Sequence, residues 1–289
     1  MRETPFFKGD FSLTKELFDL TEKVAIVSGA AQGMGQATAV AVAESGADVV
    51  VVDRNVEGAE ATANVIRALG RRVLVSKTDV SDPVAVSKLF QQVDDEFGRV
   101  DFLGNIAGDG HLCKPEDLAI EDLHCVLQNL VVGRFAMCQQ AGRRMLSQGS
   151  GSIMNIGSLA SSTALGRGHI AYSMAMGAVV QMTRELSTEW SHRGVRVNCV
   201  TPAQVTNPSL IARMNDDPSL QARFVSGIPA GRMGEPSDIK GLAVLLASDA
   251  SAWITGAIIP MDGGNTAMNA GGTPGHQQHI VQTFRAKTT

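Results

Sequence analysis

Tyrosine occurs once in this chain of 289 residues, at position 172. Any chemistry that needs a phenol therefore has a single address. Cysteine is scarce as well: Cys113, Cys125, Cys138 and Cys199 show no CxxC spacing. Apolar residues make up 44% of the chain, enough to fill a large core, so a disulfide framework is not expected. The thiols are read as reduced groups of a cytoplasmic protein. No block of like charges occurs and the formal net charge is −4, which argues against the basic face that nucleic acid requires. The longest apolar run, Val49–Val52 with its neighbours, is far too short to span a membrane. The leading segment MRETPFFKGDF is charged and lacks the apolar stretch of a signal peptide. No metal site is expected: His276 and His279 stand three apart, but no acidic or cysteine partner accompanies them.

What is present is alternation. Residues 1–22 read as an irregular arm, with Phe6, Phe7, Phe11, Leu17 and Phe18 as packing points. Short β-branched runs then alternate with alanine-rich or amphipathic stretches. The pattern predicts strands near 24–28, 49–52, 72–76, 101–105, 152–156, 195–200 and 257–261. It predicts helices near 33–45, 57–69, 83–97, 120–146, 170–192 and 236–248. Strands that are apolar throughout are buried on both faces, and the long crossovers force parallel pairing. The expected fold is α/β: a Rossmann-type doubly wound parallel sheet of about seven strands with helices on both faces. One domain is expected over residues 23–264, with an excursion near 206–226 containing a small helix and a tail over 265–289.

The turn between the first strand and first helix is glycine-rich: Ser28-Gly29-Ala30-Ala31-Gln32-Gly33-Met34-Gly35. Glycines let the backbone turn sharply and let a pyrophosphate approach, while the helix start attracts its charge. Asp53 ends the second strand, eighteen residues after Gly35. A carboxylate there accepts ribose hydroxyls and repels a 2′-phosphate. Arg54 follows directly and would tolerate a phosphate. The balance favours NAD over NADP.

These segments together resemble the short-chain dehydrogenase/reductase family, over roughly residues 20–264. The family's TGxxxGxG turn is similar to Ser28-Gly29…Gly33-Met34-Gly35, with Gln32 inside it. Asp79-Val80 resembles the pair that contacts adenine, and Asn105-Ile106-Ala107-Gly108 the NNAG segment. Pro202 to Val205 resembles the stretch that holds the nicotinamide carboxamide, with Ala203 for the usual glycine; Asp262-Gly263-Gly264 resembles the closing signature. The resemblance implies an oxidoreductase that interconverts a secondary alcohol and a ketone. The lead-in Leu17 to Val24 looks like those of sugar- and polyol-oxidising members. It also implies a homo-oligomer, a tetramer or dimer, joined through the helix carrying Tyr172 and its neighbour.

In the family, tyrosine moves the proton, serine binds the substrate oxygen, and a lysine one turn after tyrosine makes the phenol acidic. An asparagine on the middle helix holds a water. Tyr172 and Ser158 fit the first two roles. The lysine position holds Met176. A free phenol has a pKa of about 10 and is a poor base near neutrality, and methionine supplies no charge to change that. Asn129 is one residue out of register, because Leu130 stands three before Gly133; that turns it about 100° round a regular helix, and a local bulge would turn it back. Arg167 or His169, just before Tyr172, would serve as a substitute cation or proton carrier, with His111 and Lys114 behind them. Two alternatives therefore stand beside the dehydrogenase: an NAD-binding protein without turnover, and a redirected dehydratase or isomerase.

Overall fold

The computed structural model describes residues 14–269 and 272–277. Phe6, Phe7 and Phe11 of the arm, and His279, lie outside the described residues. Seven parallel strands form one sheet in the order β3-β2-β1-β4-β5-β6-β7. They are β1 Val24–Ser28, β2 Asp48–Asp53, β3 Val73–Lys77, β4 Phe102–Asn105, β5 Gly151–Ile156, β6 Val195–Pro202 and β7 Ile258–Met261. The helices are α1 Thr14–Leu17, α2 Gly33–Glu44, α3 Val56–Ala68, α4 Pro83–Phe97, α5 Ile120–Leu127, α6 Arg134–Gln148, α7 Ile170–Trp190, α8 Pro208–Asp216, α9 Ser219–Val225 and α10 Lys240–Ala247. Among the described residues no helix is long and apolar enough to cross a membrane.

The local chemistry explains most boundaries. Asp82 accepts a hydrogen bond from Val84 N at 2.8 Å, Pro83 opens α4, and Gly98 closes it in the left-handed conformation (φ 70°). Asn55 caps α3 through Gly58 N at 3.2 Å. Alternate strand residues feed two cores, one on each face of the sheet. Ala25, Val27, Val49 and Val51 pack with α2 residues such as Ala39 and Val42. Val24, Ile26, Val50 and Val52 pack with Phe90 and Val93 of α4 and Met137 and Met145 of α6. The inner strands β1, β2, β4, β5 and β6 are buried on both faces, as all-parallel pairing requires, while the edge strands β3 and β7 are half-buried.

Three departures from the sequence reading bear on function. The single long middle helix is interrupted by a π turn, Gln128–Gly133, between α5 and α6. The excursion after β6 carries two helices rather than one, since Pro218 stops α8 and Asp217 Oδ1 accepts Ser219 N at 3.1 Å to start α9. Val179 and Val180, on the helix expected to join protomers, are core residues.

The order reverses between β1 and β4. In open α/β sheets the crevice beyond the strand ends at such a point binds ligands.

Candidate active site

A groove of about 440 Å³ runs across the ends of β1, β2 and β4. Gly29, Gln32, Gly33, Met34, Gly35, Asp53, Arg54, Asp79, Val80, Ala107, Gly108 and Asn129 line it, which gathers most of the residues assigned to the cofactor. Ser28 Oγ clamps its floor, accepting Ile106 N at 3.0 Å and Ala107 N at 3.1 Å. A Cβ on Gly35 would overlap the Gly29 carbonyl, so glycine there permits the tight turn. A Cβ on Gly33 would meet only open space, and φ there is +57°, so its glycine answers to conformation and not packing. The Gln32 side chain does not cap α2, which leaves the helix's first N–H groups open towards an anion.

Asp53 sits at the groove wall. Its Oδ2 accepts Ala31 N at 3.0 Å and its Oδ1 accepts Asn55 N at 2.9 Å. A carboxylate has about four lone-pair sites, so two remain for a ligand. Arg54 is taken up by two acids, Asp109 at 2.9 Å and Asp79 at 3.7 Å. The Ser81 hydroxyl holds the Asp79 carboxyl below its usual range against the opposing effect of burial, helped by the Ser81 N–H and Arg54.

Beyond the groove a cavity of about 370 Å³ is lined by Tyr172, Ser158, His169, Arg167, Arg213 and Val205, among others. It shares Asn207 and Ser209 with the groove, so the two are continuous. Ser158 ends the loop after β5. Its Oγ accepts Ala160 N at 3.1 Å as a cap, and its O–H has no acceptor among the described residues. The hydroxyl thus serves the backbone with its acceptor side and leaves its donor free. Tyr172 lies in the first turn of α7, its ring set edge-on to His169 at 6.3 Å between centroids. Gln204 Oε1, at the same cavity wall, is a buried acceptor without a partner among the described residues. It lacks the N–H donor that a carboxamide carries. The glycine cradle, the Asp53 wall and this orphan acceptor fit a nicotinamide dinucleotide.

Met176 is 1% exposed and packs with Leu130, Ala175 and Val179. Against its sulfur stands a guanidinium: Arg134 Nη1 lies 3.9 Å from Met176 Sδ. Arg134 is 3% exposed, yet no carboxylate pairs with it among the described residues. Its nitrogens donate instead to three backbone carbonyls at the ends of β4 and β5, those of Ile106 (3.3 Å), Ala107 (3.2 Å) and Ile156. Burial lowers its pKa from the ordinary guanidinium value; a Tyr172 phenolate, then Cys199 and Cys138, act the other way. Sequence reading missed Arg134. The signal was there, an arginine directly after Gly133 at the start of a helix packed on the sheet, but nothing in the pattern showed that it points inward.

The other assigned residues are placed as follows. Asn129 falls within the π turn and does not line the Tyr172 cavity; its Oδ1 accepts Asp109 N at 3.0 Å on the groove side. Asn105 is fully buried and lines neither space. Its Nδ2 donates to Arg134 O at 3.0 Å and Asn155 Oδ1 at 3.1 Å, and Asn155 Nδ2 donates to Thr183 Oγ1 of α7 at 3.1 Å. That relay fixes α6 and α7 against the sheet. Pro202 ends β6 in the interior, and its successors Ala203, Gln204 and Val205 reach the cavity. His111 lies near Asp122 at 3.8 Å, and neither it nor Lys114 lines the cavity.

Comparison with known proteins agrees with this geometry. The family model described as Enoyl-(Acyl carrier protein) reductase matches residues 29–266. A D-threitol dehydrogenase of Mycolicibacterium smegmatis is 41% identical over 249 residues, 86% of this chain and 95% of that protein. An NAD-dependent glycerol dehydrogenase of Listeria innocua is 33% identical, over 86% of this chain and 96% of that one. A crystal structure of a gluconate 5-dehydrogenase from Burkholderia cenocepacia, in complex with NADP and tartrate, superposes with a TM-score of 0.82 at 28% identity, covering 88% of this chain and 99% of that one.

Proposed function

This chain belongs to the short-chain dehydrogenase/reductase family and is an oxidoreductase of secondary alcohols, and we propose that it is an active NAD(H)-dependent enzyme in which Arg134 takes over the electrostatic part of the missing lysine. The buried, acid-free guanidinium against Met176 Sδ carries the reading. An unpaired cation out of water costs several kcal/mol. A site drifting out of use has no reason to acquire one. A site that must stabilise a phenolate does.

The roles follow. Groove residues from Gly29 to Gly35 would hold the pyrophosphate, and Asp53 the adenosine ribose. Two carboxylates already neutralise Arg54, so Asp53 faces a 2′-phosphate with little opposing charge, and NAD is preferred. A nicotinamide dinucleotide held there would supply the acceptor or donor of the hydride exchanged with the carbinol carbon. Ser158 donates its free O–H to the substrate oxygen. Tyr172 takes the proton from that oxygen or gives it back, and Arg134 stabilises the charge left on the phenol. Arg134 acts through the phenol and does not touch substrate; it is a positioning residue. The threitol and glycerol dehydrogenases among the relatives support a polyol-like substrate.

Absorbance at the reduced-nicotinamide band, with NAD⁺ and a panel of polyols and hydroxy acids, tests the reading. Turnover with Tyr172→Phe lower by about a hundredfold or more is expected, the usual scale for a proton-transfer group. NAD⁺ binding without reduction by any substrate would instead favour a dinucleotide-binding protein without turnover. We further propose self-association through α5 to α7. Val132 and Phe135, one turn apart, and Ile170 and Met174, one turn apart, are each at least 40% exposed there.

A further inference from the structure

We propose that the Tyr172 cavity takes a substrate bearing an anionic group, a carboxylate or phosphate, gripped by Arg167 and Arg213 at the end away from the reacting carbinol. The inference rests on the dehydrogenase reading and narrows its substrate class.

Charge is the first observation. The cavity lining holds Arg167, Arg213 and His169 and no acidic side chain. Around the cavity rim other arginines are answered, Arg223 by Asp217 and Arg232 by Asp238 at 2.8 Å, although Arg143 and Arg193 on other faces also lack a carboxylate among the described residues. The side chains of Arg167 and Arg213 have no carboxylate or hydrogen-bond partner among the described residues. They repel one another: after burial, Arg213 and then Arg223 lower the pKa of Arg167. A polyol offers hydroxyls that either sign of charge would satisfy. Two forked cations with no counter-charge fit a group with several anionic oxygens.

Backbone conformation is the second observation, and it is independent. Arg167 has φ +56°, between Gly166 at +63° and Gly168 at +78°. Three consecutive left-handed residues make a tight hook in which glycine is free of strain and arginine is not. The hook is held in place: Gly168 O accepts Cys113 N at 3.0 Å, and His169 Nδ1 lies 2.8 Å from Gly166 O. The Arg167 guanidinium rests on the Phe224 ring at 5.2 Å, and Phe224 is 8% exposed. Fold stability prefers glycine at 167. Strain kept at a cavity wall, with a charged head laid on an aromatic shelf facing Tyr172's space, is the mark of a ligand contact.

The arrangement gives the substrate a direction. Its anionic end meets Arg167 and Arg213, and its secondary alcohol meets Ser158 and Tyr172. Polyhydroxy acids and sugar-alcohol phosphates both have that shape.

Titration calorimetry on the NAD⁺ complex tests it with three probes: D-sorbitol, D-gluconate and D-sorbitol 6-phosphate. The first two have the same carbon chain and differ at one terminal carbon. We expect at least one anion to bind about tenfold or more tightly than sorbitol, the scale of one charge-assisted hydrogen bond, and to weaken as salt is added. Preference for gluconate over the phosphate identifies a carboxylate as the source, and the reverse a phosphate. In Arg167→Gly and Arg213→Gln the anion-to-sorbitol affinity ratio should collapse towards one. Arg167→Gly should unfold no lower than the wild type, since glycine suits the hook. Two results would overturn the proposal: neither anion binding more tightly than sorbitol, or the variants weakening all three probes equally. Binding decides it whether or not turnover is seen, so failure of the dehydrogenase reading, no nicotinamide reduction by any substrate, remains a separate result.

Discussion

Replacing Met176 by lysine restores the residue that the rest of the family would carry, and the structure predicts that it does harm. Lysine's Cδ would take the place of Met176 Sδ, 3.9 Å from Arg134 Nη1, with its ammonium two bonds further along in the same buried space. Two unit charges about 4 to 6 Å apart repel by about 3 to 4 kcal/mol at an effective dielectric of 20. Met176→Lys alone should therefore destabilise the fold by a few kcal/mol and lower activity. Arg134→Met should also lower activity, for a different reason. The Arg134 guanidinium and a Tyr172 phenolate are close enough to interact, and losing the cation should slow turnover by about tenfold near neutral pH, the scale of one charge-assisted contact. The deficit should shrink as pH rises, because hydroxide then removes the proton that the cation had helped to remove. A structural defect would not recover in that way. The double variant Arg134→Met with Met176→Lys keeps one cation and should regain most of the loss. Steady-state kcat/KM between pH 6 and 10, with urea unfolding as a control for stability, reads all three. Met176→Lys alone raising turnover would refute the reasoning, since it would mean a site that had merely decayed.

Other expectations are simpler. Asp53→Ala should narrow or reverse the preference for NAD over NADP, by about tenfold for one lost charge-assisted contact, read as the ratio of kcat/KM values. Burial pushes the Cys138 thiol up to about 12 and the Cys199 thiol up to about 11, from 9.0. Both stay protonated in the fold while the unfolded chain ionises, so their stabilisation is complete below pH 9 and drains away as pH climbs through 11 to 12. Urea midpoints should fall across that window, less steeply in Cys138→Ala. A thiol reagent at pH 8 should modify exposed Cys125 in the native protein and leave buried Cys138 and Cys199 until unfolding. Phe135→Glu should shift the light-scattering mass towards the protomer if α5 to α7 form the interface, and an unchanged oligomer would place the contact elsewhere.

The sheet, the glycine turn and the Asp53 wall were legible in the sequence because each depends on short-range rules. β-Branched runs mark buried strands, and a strand–glycine–helix spacing marks a phosphate turn. Even the bulge near Asn129 was foreseeable, since a one-residue register error in a helix has few remedies. Its consequence was not. Periodicity assumes 3.6 residues per turn, and a π turn breaks that assumption without any residue type that announces it. Past Gly133, the helix face that the pattern assigns to solvent or core is no longer the face in the structure. Nothing in the sequence separates Arg134 from an ordinary helical arginine, whereas Arg167 and His169 lie near Tyr172 in sequence. Arg167 does reach the cavity, at the substrate end of it.

The π turn also connects the two departures that first made the site look damaged. Leu130 and Arg134 are four apart, both nearly fully buried, and both face the α7 residue Met176. Leu130 fills the space beneath Gly108, where a Cβ would overlap its Cδ2. Arg134 spans from there to the carbonyls of Ile106, Ala107 and Ile156. A lysine at 176 could not share that space with the guanidinium, and the guanidinium could not pair its donors if the helix kept regular register. Methionine at 176 is then a requirement of the inward arginine: a neutral, flexible, polarisable side chain that touches a buried cation without repelling it. On the proposed reading, one local feature, the π turn, accounts both for a cation on α6 in place of one on α7 and for the displaced Asn129.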